Sequence, residues 1–444
     1  MKFAWISLDG LGYSIAYKLL KEGNEVKVAQ IQNKWELGNN DKPEEFKKKK
    51  KRLSVYDGVL EKMTMPQMLT FLRGVKNKDE WFVVFDFNNL WKYAEQVKQM
   101  GFKNGFFPTK EDFELESDRE KAKEIVEKNY KLAIGECQEF KKAKDGIDFL
   151  QKSPDTYVLK GNDLDGTTLC PTDKVDELAR MKIIDMLEED PKNYESKGFI
   201  LETKLKDPIE ITPEAQFYNG KLVMMTIDIE SKAMNAGDEG KMTGCAQNLI
   251  CKIEESNPIA KLAFPEFVQK LASKHPGLFV WDASILFKDK PYFGEFCANR
   301  WGWEAIQTEI AMCGSATDYF EGLVKGKNPL KFKYGFGLRG FNDDPKDGEF
   351  GDRTMRWMAE TDKDTFVYDL KQDKNKIKNT GFWEMDLVTF TGAGNTPEEA
   401  VDKCYKAREN FSFTNMTTRP KFDWNADYPT SIGNRLKYFN ETYS

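Results

Sequence analysis

Apolar positions along this chain change rhythm from segment to segment, and the changes mark its elements. Residues 2–29 read KFAWISL, DGLGYS, IAYKLLKEG and EVKVAQI. An alternating run, a glycine turn, a helically spaced segment and a second alternating run predict a β-α-β opening. WFVVFDF (81–87) is apolar almost throughout, as in a strand covered on both faces, and NLWKYAEQVKQMG after it has helical spacing. NGFFP enters the next strand, and a first domain closes near residue 114. A helix then starts at Ser117-Asp118, with Asp118 as its N-cap, and runs through REKAKEIVEKNY.

TYVLKGN (156–162) reads as a strand carrying Lys160 near its end, followed by a loop with Asp163, Asp165 and Gly166. KVDELARMKIIDMLEED is an amphipathic helix, KGFILETKL (197–205) a strand, and PEAQFYNGKLVMMTIDIE a hairpin turning at Asn219-Gly220. Segment 231–248, SKAMNAGDEGKMTGCAQN, is rich in glycine and small polar residues and predicts a substrate loop. FPEFVQKLASKHPG is helical, and His275, just before a proline, is expected at the surface. From about residue 330, KFKYGFGLRGF, TFVYDLK and LVTFTGAG predict strands, and TPEEAVDKCYKAREN a helix capped by Thr396. The polar stretch 40–52, ending in KKKKKR, predicts a solvated helix face or loop.

Composition narrows the chemistry. At 444 residues the chain exceeds one core, so roughly two to four domains are expected. Hydrophobic residues make up 40% and aromatics 13%, the profile of a packed globular protein. Lys+Arg 67 against Asp+Glu 73 gives a net charge of −6, which speaks against a general nucleic-acid binder. Seven cysteines form no C-x-x-C pair, which fits reduced thiols. No apolar run approaches membrane-span length and the N-terminus enters a strand directly. A soluble cytoplasmic protein without a signal peptide is the expectation. With one histidine, imidazole base catalysis and His-rich zinc sites are nearly excluded. Carboxylate, lysine and metal chemistry remains.

Two stretches can carry it. The opening turn holds Gly10 and Gly12, but Ile15 stands where a dinucleotide fingerprint has its third glycine. The second strand ends in Gln30 and Gln32 instead of an acid for a ribose hydroxyl, so nicotinamide binding is disfavoured. A phosphate-bearing ligand above the turn fits. In FVWDASILFKDKPYFGEFCANRWGWEAIQ (279–307), one strand of a predicted hairpin delivers Asp282 and the other Glu295, with Asn299 just behind. Oxygen ligands at the end of a rigid sheet suit Mg²⁺ or Mn²⁺. The same pattern also suits a surface hairpin with ordinary acids.

Taken in order, these blocks resemble the ATP-grasp enzymes, and within them phosphoribosylamine–glycine ligase. LESDREKAKEIV (115–126) is similar to the family's Leu-Glu-x-x-Lys-x-x-x-Lys helix, with Arg119 at the first lysine and Lys123 at the second. YVLKGNDLDG resembles the lid strand with its phosphate-binding lysine, here Lys160. FILETKLKDPIE resembles the adenine hinge, and GEFCANRWGWEAIQ the Glu-Phe-Asn-x-Arg-Phe-Gly metal segment. VTFTGAGNTPEEAVDKCYKA with Ser431-Ile432-Gly433 resembles that ligase's C-terminal domain, a block most other ATP-grasp enzymes lack.

The resemblance implies an α/β ATP-grasp fold: a Rossmann-like domain (1–114), an ATP-grasp domain (115–330) with a lid at about 136–203, and a small α+β domain (331–444). It implies an ATP- and Mg²⁺-dependent carbon–nitrogen ligase that works through an acyl phosphate, joining a carboxylate such as glycine to an amine such as phosphoribosylamine in purine biosynthesis. Lys160 and Arg339 take catalytic positions, and Arg119, Glu202, Leu205 and Glu210 join Lys160 around ATP. Gly10, Gly12, Asn89, Lys232, Thr243, Gly244 and Arg300 face substrates, and Asp282, Glu295 and Asn299 the metal. A monomer or homodimer without membrane or nucleic-acid partners is implied.

The departures are specific. Cys297 stands at the metal asparagine's position, so Asn299 reaches it only through an insertion. The family's Gly-Gly-Arg-Glu-His-Ala reads GLGYSI (10–15), and its Pro-Glu-x-Pro-Leu segment reads FDFNNL (85–90). Its glycine-rich lid loop is replaced at 162–168. These leave two alternatives: a diverged ligase joining another carboxylate to another amine or nucleotide, and a non-catalytic nucleotide-binding relative.

Overall fold

A computed structural model describes residues 1–31, 50–161, 168–171, 175–196, 198–300, 303–343 and 350–443. The stretch 40–49, lid-loop residues 162–167 and Trp301-Gly302 of the metal segment lie outside the described residues. Five parallel strands begin the main sheet: β1 (Lys2–Ser7), β2 (Glu25–Gln30), β3 (Lys62–Thr64), β4 (Trp81–Phe85) and β5 (Gly105–Phe106), in the order β5-β4-β1-β2-β3. The helix Tyr13–Lys21 links β1 to β2, completing the predicted β-α-β opening. Every residue of β4 is buried because apolar side chains pack on both its faces, Phe82 and Val84 in one cluster and Trp81, Val83 and Phe85 in another.

The next strands leave that sheet. β6 (Cys137–Phe140), β7 (Tyr157–Gly161), β8 (Thr168–Leu169) and β9 (Phe199–Thr203) form an antiparallel sheet in the order β6-β9-β7-β8. It encloses a small core of its own around Phe140, Leu159, Ile183 and Phe199. A layer with a separate core can shift as a body, because few apolar contacts tie it to its neighbour.

The chain then returns to the main sheet. β10 (Ile209–Tyr218) and β11 (Lys221–Asn235) meet at Asn219-Gly220, both with positive φ (50° and 75°), the two-residue hairpin turn the sequence signals. β12 (Glu239–Lys252), β13 (Leu278–Phe287), β14 (Pro291–Ala298) and β15 (Tyr334–Asn342) follow. β13 joins the two halves: Leu278 pairs in parallel with Phe106 of β5. β16 (Thr354–Trp357), β17 (Thr365–Val367), β18 (Lys371–Asp373), β19 (Lys376–Lys378) and β20 (Asp386–Gly394) complete the set used here. The fourteen-stranded sheet runs β17-β20-β15-β12-β11-β10-β13-β5-β4-β1-β2-β3, with β14 beside β13 and a short last strand beside β15. Thr396 caps the helix Pro397–Glu409 through the Glu399 amide, as expected.

Two sequence expectations give way. Segment 231–248 is not a loop: β11 continues to Asn235 and β12 starts at Glu239, leaving a turn at Ala236–Asp238. Its glycines and small residues accommodate register shifts beside Ala233, where composition alone reads as a loop. His275 is not at the surface. Its ring is buried, with Nε2 2.8 Å from Asp112 Oδ2 and Nδ1 3.0 Å from the Leu271 carbonyl. Among the described residues no helix is long and apolar enough to cross a membrane, and all seven cysteines are free.

Candidate active site

A cavity of about 350 Å³ lies where β10, β11, β13, β14 and β15 come together. Strand alternation lines it. Glu210, Thr212 and Glu214 project from β10; Asp228, Glu230 and Lys232 from β11; Asp282 and Ser284 from β13; Glu295 and Cys297 from β14. Residues two apart share a face, so each strand contributes a short polar ladder. Arg339 of β15, Gly244 of β12, Glu304, Asp386, Arg300, Tyr368 and Trp383 complete the rim, and Leu11 brings the N-terminal turn against it.

Part of this lining is organised in ion pairs. Lys232 Nζ lies 3.0 Å from Glu210 Oε1 and 3.6 Å from Glu295 Oε1. Ser284 donates to the same Glu210 oxygen at 2.7 Å. Burial raises the Glu210 pKa, but Lys232 outweighs it and holds the carboxyl below its usual range. Arg339 pairs with Glu304 and with Asp386, the latter at 3.2 Å, and its guanidinium lies 5.7 Å from the Tyr368 ring centre. Arg300 pairs with Glu116 and stacks on Phe87 at 4.9 Å. Thr243 donates to the Lys232 carbonyl at 2.7 Å.

The rest is carboxylate without a counterion. Glu214, Asp228, Glu230 and Asp282 line the same cavity, and none forms an ion pair among the described residues. Burial, the largest cause, pushes Glu214 and Glu230 up to about 7. Burial and then neighbouring acids push Asp228 and Asp282 well above the carboxylate range. Asp228 Oδ2 accepts from Asn248 at 2.9 Å, while its Oδ1 is buried without a partner. Asp282 accepts only the Cys297 amide, at 3.2 Å.

The separate four-stranded sheet β6-β9-β7-β8 carries a further ion pair. Lys160 of β7 and Glu202 of β9 pair at 2.9 Å, both largely buried. Arg119, at the start of the helix Arg119–Asn129, has its pKa lowered by burial, with Glu295 and Glu202 acting against that shift. The three lie within electrostatic reach of one another. Leu205, just past β9, is half-buried and does not line the cavity.

Four expected positions are placed elsewhere or already engaged. Asn299 faces away from the cavity: its side chain donates to the Phe107 carbonyl and to Asp112, and its Oδ1 meets the Val280 amide. Gly10 donates its amide to Ser7 Oγ and Gly12 to Asp86 Oδ2, each at 2.8 Å. The turn's amides are therefore spent on the protein itself. A Cβ on Gly12 would stand 2.4 Å from the Trp5 ring, which accounts for the glycine without a ligand. Beside this turn Asp9 is pushed up to about 6, chiefly by burial, and Asp86 to about 7 by burial and then Asp9. Asn89 sits in the short helical turn Asn88–Leu90 and is absent from the cavity lining.

Among the described residues no three acidic, thiol or imidazole groups converge tightly enough to hold a metal alone. Asp282 and Glu295 do face one cavity from adjacent strands. One or two carboxylates, with phosphate and water oxygens supplying the rest, is the donor set that suits Mg²⁺. Sequence reading missed Glu214, Asp228, Glu230, Glu304 and Asp386. The signal for two of them was present: in IDIESK, Asp228, Glu230 and Lys232 recur every second residue inside an apolar strand.

No protein-family model matches the sequence, and no curated protein matches it. Solved structures do. Phosphoribosylamine–glycine ligase from Thermotoga maritima superimposes with a TM-score of 0.64 at 16% identity, over 94% of this chain and 99% of that one. The biotin carboxylase domain of Hydrogenobacter thermophilus 2-oxoglutarate carboxylase, in complex with MgADP and bicarbonate, gives 0.58 at 12% identity, over 94% and 91%. N5-carboxyaminoimidazole synthase from Aspergillus clavatus, in complex with ADP and an aminoimidazole ribonucleotide, gives 0.52 at 11% identity, over 92% and 98%. Sharing its architecture with these enzymes over nearly its whole length, the chain has the ATP-grasp fold.

Proposed function

We propose that this protein is an ATP- and magnesium-dependent ligase that activates a carboxylate as an acyl phosphate and joins it to an amine. The observation that carries the reading is the Lys232–Glu210–Glu295 cluster beside Asp282; the Lys160–Glu202 pair on the four-stranded sheet is assigned the role of a lid. Phosphoryl transfer to a carboxylate needs cations along the triphosphate, a metal across its oxygens and exclusion of water. In this assignment Lys160 and Arg119 meet phosphates, and Glu202, Leu205 and Glu210 bound the nucleotide. Asp282 and Glu295 hold the metal. Arg339, with Lys232, Thr243, Gly244 and Arg300, faces the acyl phosphate and the substrates. Mg²⁺ bound there would offset phosphate charge. The chain's own part is to orient the nucleotide and shut out water.

Glycine and phosphoribosylamine are the substrates that the likeness to phosphoribosylamine–glycine ligase suggests, together with a place in purine biosynthesis. The amine is the weaker half. Gly10 and Gly12 already spend their amides on Ser7 and Asp86, so neither amide is free for a 5′-phosphate. We therefore favour a diverged amine. The deciding experiment is ADP release with Mg²⁺, crossing a panel of amino acids with a panel of amines and weighing the products. Efficient formation of glycinamide ribonucleotide would restore the purine role. Failure to bind ATP at all would overturn the ligase reading in favour of a non-catalytic relative.

A further inference from the structure

Eight carboxylates line the cavity against three cations, Lys232, Arg300 and Arg339. Each cation already has an acidic partner: Glu210 and Glu295 for Lys232, Glu304 and Asp386 for Arg339, Glu116 for Arg300. Among the described residues every lining cation already carries an acid, so an anionic substrate has to share one. Among the described residues four lining acids form no ion pair, and Asp228 is 4% exposed with one oxygen that meets no donor. Its nearest described donor, Asn248, serves the other oxygen. Arg435, packed behind β11, donates to the Glu230 carbonyl and Ser231 Oγ; its charge reaches Glu210 and Glu230 through space, with no ion pair to either among the described residues.

Carboxylates crowded into a small cavity either take up protons or take up a cation. The other surfaces favour an organic one. Tyr368 and Trp383 place aromatic rings on the lining, where π-faces attract ammonium groups, and Leu11 and Ala305 offer contact to an aliphatic stem.

We infer that the amine substrate is itself a cation, an aliphatic diamine or longer polyamine, whose distal ammonium is held by Asp228, Glu230 and Glu214 while its other nitrogen meets the acyl phosphate. This rests on the ligase reading above and gives it a substrate class. The step balances without a further reagent. The neutral nitrogen attacks the acyl carbon, the carbon–oxygen bond to phosphate breaks with phosphate keeping the electron pair, and the nitrogen's proton leaves with the phosphate. The distal ammonium is unchanged.

The test is calorimetric titration of the full chain with 1,4-diaminobutane, butylamine and ribose 5-phosphate, with and without MgATP, alongside diamine-dependent ADP release. The expected result is diamine binding at least tenfold tighter than butylamine. Asp228→Asn and Glu230→Gln should each reduce it tenfold or more while leaving ATP affinity unchanged. Asp228→Asn removes a buried charge isosterically, so its melting temperature should not fall, and it reports on binding rather than folding. Equal affinity for diamine and monoamine would overturn the inference, as would preference for ribose 5-phosphate. A wall that binds Mn²⁺ without nucleotide, lost in Asp228→Asn, with no diamine affinity, would assign these acids to a metal and overturn it too. ATP turnover with a neutral or phosphorylated amine would sink this inference alone, whereas absence of ATP binding would sink the ligase reading.

Discussion

Two clusters of buried charge in this molecule are built on opposite principles. Arg419 is fully buried, and its donors are all used. Nε reaches Asp423 at 2.7 Å, one terminal nitrogen reaches the Ala233 carbonyl at 2.7 Å and Asp238 at 3.0 Å, and the other reaches Tyr428 at 2.8 Å. Asp423 in turn accepts the Gly237 amide and Gln247, so the network pins the β11–β12 turn to the C-terminal segment. The cavity wall also buries Glu214, Asp228 and Asp282, but among the described residues it pairs them with no cation. A paired buried charge holds one conformation in place. An unpaired one works against folding and is tolerated where a ligand supplies the missing charge. The first cluster is architecture; the second is where the proposed ligand would bind.

The sharpest way to break that contrast is to remove the arginine. Arg419→Ala leaves the buried Asp423 and the partly exposed Asp238 without their cation, and should cost about 3–5 kcal/mol of stability. Urea midpoints measure it. Asp228→Asn, read the same way, should be neutral or stabilising, since it deletes a desolvated charge. Equal losses in both would erase the distinction between structural and site charge.

Next in size are effects on turnover. Glu295→Gln and Lys160→Ala should each lower ADP release on the order of 100-fold, the usual cost of removing one preorganised electrostatic contact. Folding should survive, because Glu295 is two-thirds exposed on its strand and Lys160, among the described residues, pairs only with Glu202. Near-normal turnover in Lys160→Ala would reduce the lid pair to a surface ion pair.

The elements were legible where periodicity is strong. The β-α-β opening, the Asn219-Gly220 hairpin and the Thr396 cap follow from local rules that the packed molecule leaves unchanged. The strand pair carrying Asp282 and Glu295 was legible for the same reason. Segment 231–248 was not, because its glycines and small polar residues mask the period-two pattern that β11 continues beyond Glu230. His275 was misplaced because its partner Asp112 lies 163 positions away. Asn299 shows the same limit. Its spacing after Glu295 suits a ligand, but a positive φ of 46° turns its amide toward Phe107 and Asp112. Pairing between distant acids and bases is a tertiary fact, so the counterion deficit of the wall could not be read from a nearly balanced charge total.

The wall also sets a pH dependence. Glu214 and Glu230 are raised to about 7 in the folded protein, above their ordinary range when unfolded. Between roughly pH 5 and 8 the folded state therefore binds more protons, and stability should fall as pH rises through 7. The ligand-free protein should melt at a higher temperature at pH 6 than at pH 8. Glu230→Gln should flatten that slope, and a saturating cation should flatten it as well. A melting temperature that climbs from pH 6 to 8 would mean that the wall acids are ionised and paired in the folded protein, which contradicts the contrast with Arg419.

The smallest expected effects separate the two residues that could stand in for a metal asparagine. Cys297 lies opposite Asp282 in the β13–β14 register and faces the cavity. Burial, and then the Asp282 charge, push its thiol well above the usual range, so it stays a neutral, weakly polar group at pH 7 and offers a metal no thiolate. Cys297→Ala should then change stability by about 1 kcal/mol or less, the scale of a small apolar truncation, and turnover by no more than a few-fold. Asn299→Ala removes three hydrogen bonds that join the end of β14 to Phe107, Asp112 and Val280, and it puts alanine at a positive φ. It should lower stability by about 1–3 kcal/mol while the Mg²⁺ concentration needed for half-maximal turnover stays unchanged. A shift in that concentration with Asn299→Ala would bring the residue back into the metal shell and require β14 to rotate toward the cavity when the metal binds. A shift with Cys297→Ala would instead place a soft ligand beside Asp282, and Cd²⁺ should then outcompete Mg²⁺ for the site.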